Sequence, residues 1–251
     1  MKLLIDTHSH LDHPRFRKDL EDVLDRARKN NLSVIICNGL NKKSNRKVLE
    51  LSKKCDIIES ALGIFPIDAQ KLTEEQIDKE IEFIEKNKDK IKAIGEVGLD
   101  YHWEKDKHKQ EKQRIIFKKF IELAKRIDKP IIIHTRKAEK DALDMIKESK
   151  LKKVIFHCFG GSNSLTKEIA DNGYFFSIPA NIVKCNSFKE IVKNVPLSQL
   201  FTETDSPYLS PNEKRNEPSN VIYTIEEIAK IKGLDKKEVI NIIYMNYQRI
   251  F

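Results

Sequence analysis

Eight short runs of consecutive Ile, Val, Leu and Phe residues constrain this chain more than any other feature. They lie at Lys2–Thr7, Ser33–Asn38, Ile57–Gly63, Ile91–Glu96, Pro130–His134, Lys153–His157, Tyr174–Ile178 and Leu200–Thr204. Apolar residues at consecutive rather than alternate positions fit strands covered on both faces, the condition of a parallel sheet. The runs start roughly 20 to 40 residues apart, the length of one strand–helix unit. The segments between them are charged with helical spacing. Leu20, Val23, Leu24 and Ala27 share a face of Asp19–Asn30, as do Ile77, Ile81 and Ile84 in Glu74–Lys86. Ile116, Phe120, Leu123 and Ala124 do the same in Gln110–Ile127, with Lys and Glu opposite. These are amphipathic helices of an outer layer.

Strands alternating with helices in this way predict an α/β fold, a closed (β/α)8 TIM barrel. The 251 residues suit one such domain spanning 1–251. The rival is an open doubly wound sheet, whose Gly-rich phosphate loop is missing: Gly95 and Gly98 follow a strand, but GxGxxG is absent. Ser206–Asn220 reads as a Pro- and Asn-rich loop after the last strand. Ile225–Ile231 and Lys236–Ile250 read as two helices with Gly233 as the stop between them.

In such a barrel, active sites collect at the C-terminal ends of the strands. Six metal-competent side chains are expected there. The first run leads into Asp6-Thr7-His8-Ser9-His10, the fourth ends in Glu96, the fifth in His134, the sixth in His157, and the eighth in Glu203-Thr204-Asp205. His8 and His10 are two apart, so extended backbone puts both imidazoles on one side. Four histidines and two carboxylates exceed one tetrahedral site. Two divalent ions roughly 3.5–4 Å apart would use them all, with Glu96 between the ions and Asp205 also accepting a proton from the attacking water. The mixed donor set suits Zn, Mn, Fe or Co, and its carboxylate share admits Mg. GxSxG and GxxxxGK[ST] are absent. Cys158 follows His157 directly and reads as a core thiol rather than a nucleophile.

Composition adds less. Lys+Arg number 47 against 39 Asp+Glu, a formal charge of +8. That excess fits a phosphate-rich partner as well as a Lys- and Glu-rich proteome. The four cysteines show no CxxC spacing, the start has no apolar stretch long enough for a secretion signal, and no run approaches the ~18 residues of a membrane span. A cytoplasmic protein is expected.

The strings around these residues resemble those of the TatD family, metal-dependent deoxyribonucleases of the amidohydrolase superfamily. They are IDTHSHLD at 5–12, GEVGLDYH at 95–102, IIIHTRKA at 131–138, FHCFGGS at 156–162 and FTETDSPYL at 201–209, followed by RNEPSNV at 215–221. The resemblance covers nearly the whole chain. It implies that His8, His10, Glu96 and Asp205 hold one metal and Glu96, His134 and His157 the second. It also implies cleavage of DNA, often as a 3′→5′ exonuclease on single strands or 3′ ends and sometimes as an endonuclease. A related activity is deacylation of D-aminoacyl-tRNA, the alternative reading. Superfamily amidases often use a carboxylated lysine where this chain has Glu96, which favours the TatD type. One departure is visible. Where many members carry Gly-x-His-Pro-His, this chain has Gly63-Ile64-Phe65-Pro66-Ile67, so Phe65 and Ile67 replace polar groups on that side of the rim.

Arg136 and Arg215 are candidate phosphate forks, and Trp103 is a candidate stacking surface for a nucleotide. Asp6 is expected to support the site from within its strand. His13 and His102 read as surface residues close to it, and His108 as a solvated helix residue. A monomer is expected.

Overall fold

Every one of the apolar runs forms a strand, and the eight strands pair in parallel in sequence order within one sheet. The computed structural model describes residues 3–251. The elements run β1 Leu4–Ser9, α1 Leu20–Lys29, β2 Leu32–Asn38, α2 Lys42–Lys54, β3 Ile58–Leu62, α3 Pro66–Ala69, α4 Glu74–Lys86 and β4 Ala93–Asp100. They continue α5 Lys107–Arg126, β5 Ile131–Arg136, α6 Glu139–Ser149, β6 Val154–His157, α7 Asn163–Asp171, β7 Phe175–Pro179, α8 Asn186–Asn194, β8 Leu200–Glu203, α9 Val221–Lys232 and α10 Lys236–Ile250. The expected start of the first strand at Lys2 lies outside the described residues. The helices wrap a (β/α)8 barrel whose strand residues are almost all buried.

Local chemistry sets the helix ends. Thr73 and Gln76 form a reciprocal cap on α4, so that helix begins where its periodicity begins. α5 starts at Lys107 rather than the expected Gln110, because the Asp106 carboxylate accepts from the N–H groups of His108 and Lys109. α9 stops at Gly233, which takes φ 66. Among the described residues, no helix is long and apolar enough to cross a membrane.

The barrel closes where β8 meets β1. Thr7 Oγ1 donates to Thr202 O at 3.0 Å, and Thr202 Oγ1 donates to Ile5 O at 2.5 Å. Asp6 accepts from His8 N, Thr204 N and Thr204 Oγ1. A bridge between Ser9 and Ser206 completes the seam. The Asp205 N–H donates to His8 O, and the His10 N–H donates to Ser206 O, each at 2.8 Å. This side-chain stitching fixes the height at which β1 and β8 present their terminal residues.

On the opposite side, β4 and β5 are joined by backbone register. Their pairing shifts between Ile94 and Val97, and Gly98 then lies opposite His134. Gly98 adopts φ +142, and a Cβ there would sit 2.1 Å from His134 O. Only glycine permits that approach. The consequence is a correction to the expected strand ends. β4 continues through Val97-Gly98-Leu99 to Asp100, and β5 continues to Arg136, so Glu96 and His134 project from within their strands rather than ending them.

Candidate metal centre

The six expected ligands converge on one end of the barrel. Glu96 lies between two pairs of imidazoles. Its Oε1 is 3.0 Å from His134 Nδ1 and 3.7 Å from His157 Nε2, while its Oε2 is 3.2 Å from His8 Nε2 and 3.5 Å from His10 Nε2. Asp205 Oδ1 is 3.3 Å from His10 Nε2 and 3.9 Å from His8 Nε2. The rings of His8 and His157 stack with centroids 3.7 Å apart. Two subsets bring their donor atoms within 4.8 Å of one another: His8, Glu96 and His157, and His8, His10 and Asp205.

Three of the four imidazoles are held from behind by an acceptor. His10 Nδ1 donates to Asn38 O at 3.0 Å. His157 Nδ1 meets both Glu203 oxygens, at 3.0 and 3.1 Å. His134 Nε2 meets Asp100 Oδ2 at 3.0 Å. An acceptor behind the ring places the proton on the outer nitrogen and turns the inner lone pair toward the carboxylates. Lone pairs and carboxylate oxygens only 3.0–3.7 Å apart repel unless a cation or a proton lies between them. No Lys or Arg pairs with Glu96 or Asp205 among the described residues. The donor set therefore fits divalent metal, and its carboxylate–histidine pairs are those that orient metal ligands.

The imidazoles and carboxylates of the cluster are also coupled electrostatically. Burial opposes charge on His10, but Asp205 beside it raises the imidazole to about 9. Burial likewise opposes charge on His157, yet Glu203 lifts it to about 10. Burial alone would raise Glu96, and the hydrogen bonds from His134 and His8 instead hold it well below the usual carboxylate range. Asp205 is lowered in the same way, against its burial, by His10 and His157. His8 is the exception. Desolvation, followed by the neighbouring His157, lowers it, and its Nδ1 has no hydrogen-bond partner among the described residues.

Asp205 stands in the left-handed region at φ 55, a conformation Asp tolerates better than most residues. Its side chain is 16% exposed against 4% for Glu96, so it is the more open of the two acids.

Two residues that orient the site, Asp100 and Glu203, were not singled out from the sequence. Asp100 also accepts from the N–H groups of His102 and Trp103, which shapes the loop beyond β4. Glu203 also accepts from Ser177 Oγ and from Cys158 N. Glu203 stands two residues before Asp205, and Asp100 is the next acid after Glu96. The continued apolar run Val97-Gly98-Leu99 was the available signal for Asp100.

The expected substrate residues divide. Trp103 is 65% exposed, and the Arg136 guanidinium lies 5.4 Å from its ring centroid, so both stand open at the rim. Arg215 does not. Its fork is occupied by Asp19 at 2.9 and 2.6 Å, it also donates to Arg15 O, and it lies over the Phe16 ring. Glu217 is clamped to Arg26 in parallel. The Arg215–Glu217 segment thus anchors the last loop on α1, so Arg215 is a loop anchor and not the free phosphate fork expected of it. Asp6 supports the seam as expected. His13 caps the short turn at Pro14–Phe16, and His108 is exposed on α5. Phe65 is half-buried with its ring against His134, centroids 4.9 Å apart. Burial pushes the Cys158 thiol well above its ordinary range, in keeping with a core thiol.

Comparison with known proteins identifies one family. The profile of the family described as TatD related DNase matches residues 5–251. The chain is 37% identical over 258 residues to the uncharacterized metal-dependent hydrolase YabD of Bacillus subtilis, covering 99% of each chain. It is 35% identical over 258 residues to the human deoxyribonuclease TATDN3, covering 99% of this chain and 94% of that protein. Among solved structures, YJJV, a TatD homologue of Escherichia coli, matches with a TM-score of 0.92 at 25% identity, covering 100% of this chain and 98% of that one.

Proposed function

Because this chain belongs to the TatD family of hydrolases, we propose that it hydrolyses phosphodiester bonds of DNA with two divalent metal ions. The observation that carries this reading is the position of Glu96, with one oxygen toward His134 and His157 and the other toward His8 and His10. With one oxygen facing each pair of imidazoles, Glu96 would help to hold two ions. When bound, the ions supply Lewis-acid stabilisation of the transferring phosphoryl group and lower the pKa of the attacking water.

The protein's own residues do the rest. His10, His134 and His157 are aimed inward by Asn38, Asp100 and Glu203. Asp205, the more open carboxylate, takes the proton of the attacking water. Arg136 offers a planar fork to a phosphate next to the scissile one, and Trp103 offers a face to a base. The substrate is a single strand or a 3′ end, degraded 3′→5′, with internal cleavage as a second mode. The protein acts in the cytoplasm as a monomer.

The test is cleavage of labelled single-stranded DNA with Mg, Mn or Zn added separately, beside elemental analysis of the purified protein. Glu96→Ala and Asp205→Ala are expected to lower turnover by at least about 100-fold. Full activity of either variant refutes the mechanism. Rapid deacylation of a D-aminoacyl-tRNA with no cleavage of DNA under any metal replaces this reading with the ester-hydrolase one.

A further inference from the structure

The cations on the β1–β2 side of the rim are not used by the mechanism above. Three adjoining surface depressions line up there. The first contains Lys43 and Lys47, the second Lys47 and Arg17, and the third Arg17, Lys18 and Arg15. Shared residues join each to the next. Arg15, Arg17, Lys18 and Lys43 are exposed and Lys47 is half-exposed. Among the described residues, none of the five has a carboxylate within ion-pair distance, whereas the acids in the same band are engaged elsewhere. Asp19 is held by Arg215, Glu50 by Lys54, and Asp12 accepts from Ser44.

The band begins at the metal centre. Tyr208 follows Asp205 by three residues and is held by a turn, its N–H donating to Asp205 O at 2.8 Å. Its ring is 43% exposed and lies 6.3 Å from that of His10 and 5.7 Å from that of His13. The Arg15 guanidinium sits 6.0 Å from the Tyr208 centroid. Arg215 donates to Arg15 O, so the loop anchor also sets the position of this arginine. An exposed aromatic ring beside the reacting centre, leading into a line of unpaired cations, is the combination that holds a single strand by stacking and by phosphate contact.

We propose that this band is a binding track for single-stranded DNA. One base stacks on Tyr208 beside the metal centre, and the phosphates beyond it follow Arg15, Arg17, Lys18, Lys47 and Lys43. The proposal rests on DNA being the substrate. It extends that reading by placing several nucleotides of bound strand on the side of the rim opposite Trp103 and Arg136.

The test is fluorescence anisotropy with labelled oligothymidines of about four and about twelve nucleotides. Phosphorothioate linkages make the strands resist cleavage, and the intact protein is used. The wild type is expected to bind the longer strand more tightly. The triple variant Arg17→Ala, Lys18→Ala, Lys47→Ala is expected to lose that length advantage. Its plot of log affinity against log salt should be shallower by about 2, from roughly 0.7 for each phosphate no longer neutralised. Tyr208→Ala should weaken both strands roughly tenfold, and Tyr208→Phe should retain the affinity because the ring remains. Thermal melting of each variant checks that the fold persists. An unchanged salt slope and length preference in the triple variant overturns the track, and equal affinity for duplex DNA overturns its assignment to single strands. Failure of the underlying reading looks different: the wild type then cleaves no DNA, whatever the variants bind.

Discussion

The two sides of the rim hold their ligands by different means. On the β1–β8 side, His8, His10 and Asp205 depend on a seam sewn by side chains: Asp6, Thr7, Thr202 and Thr204. On the β4–β5 side, Glu96 and His134 depend on a backbone irregularity that glycine alone permits. Side chains at a seam can be exchanged one at a time, and each loss is partial. A backbone approach of 2.1 Å to a would-be Cβ leaves nothing flexible to yield.

This contrast is breakable. Gly98→Ala is expected to have the largest effect, a destabilisation of about 3 kcal/mol or more, because strain at φ +142 adds to a clash with backbone. Denaturant unfolding measures it, and a loss under about 1 kcal/mol would show that β4 can relax after all. Asp6→Ala comes next. It strands the buried N–H groups of His8 and Thr204, a loss of about 2 kcal/mol at roughly 1 kcal/mol for each unsatisfied group. Asp6→Asn should recover most of this, since its oxygen still accepts from both. If Asp6→Ala equals or exceeds Gly98→Ala, the seam is the more rigid side.

Smaller effects separate orientation from stability. Asp100→Asn and Glu203→Gln are each expected to lower metal affinity by about 10- to 100-fold with little change in melting temperature. Titration of purified protein with Zn or Mn measures this, and unchanged affinity would confine both acids to packing. The weakest effect belongs to the last-loop clamp. Arg26 pairs with Glu217 and holds its carboxyl below the usual range against partial burial. A depressed carboxylate stabilises the fold above its unfolded pKa and loses that contribution as pH falls through the folded value. Glu217→Gln should therefore cost about 0.5–1 kcal/mol at pH 7, discounted because Arg26 is well exposed. The difference should shrink toward zero as pH drops below about 4. A gap that persists in acid would assign the loss to packing.

Legibility from sequence followed the range of the interaction. Consecutive apolar positions marked the strands, and the polar residues after them marked the candidate ligands, because both signals are local. Asp100 and Glu203 were harder. Whether Glu203 or Asp205 faces the centre depends on β8 ending at Glu203 and on Asp205 then turning at φ 55. Arg215 could not be read locally at all, since its partner Asp19 lies 196 residues away. The resemblance of the segment around Arg215 to the TatD family favoured a phosphate-binding role, whereas in the fold its guanidinium is held by Asp19.

The order of strands and helices, the barrel and the identity of the converging donors were set by the sequence alone. Burial pattern and residue type act over a few neighbouring positions. Tertiary structure decided which nitrogen of each imidazole faces inward and which acids stand behind them. It also decided which arginines are free to meet a phosphate. Those outcomes rest on hydrogen bonds of about 3 Å between strands and loops far apart in the chain, and only the closed barrel brings them within reach.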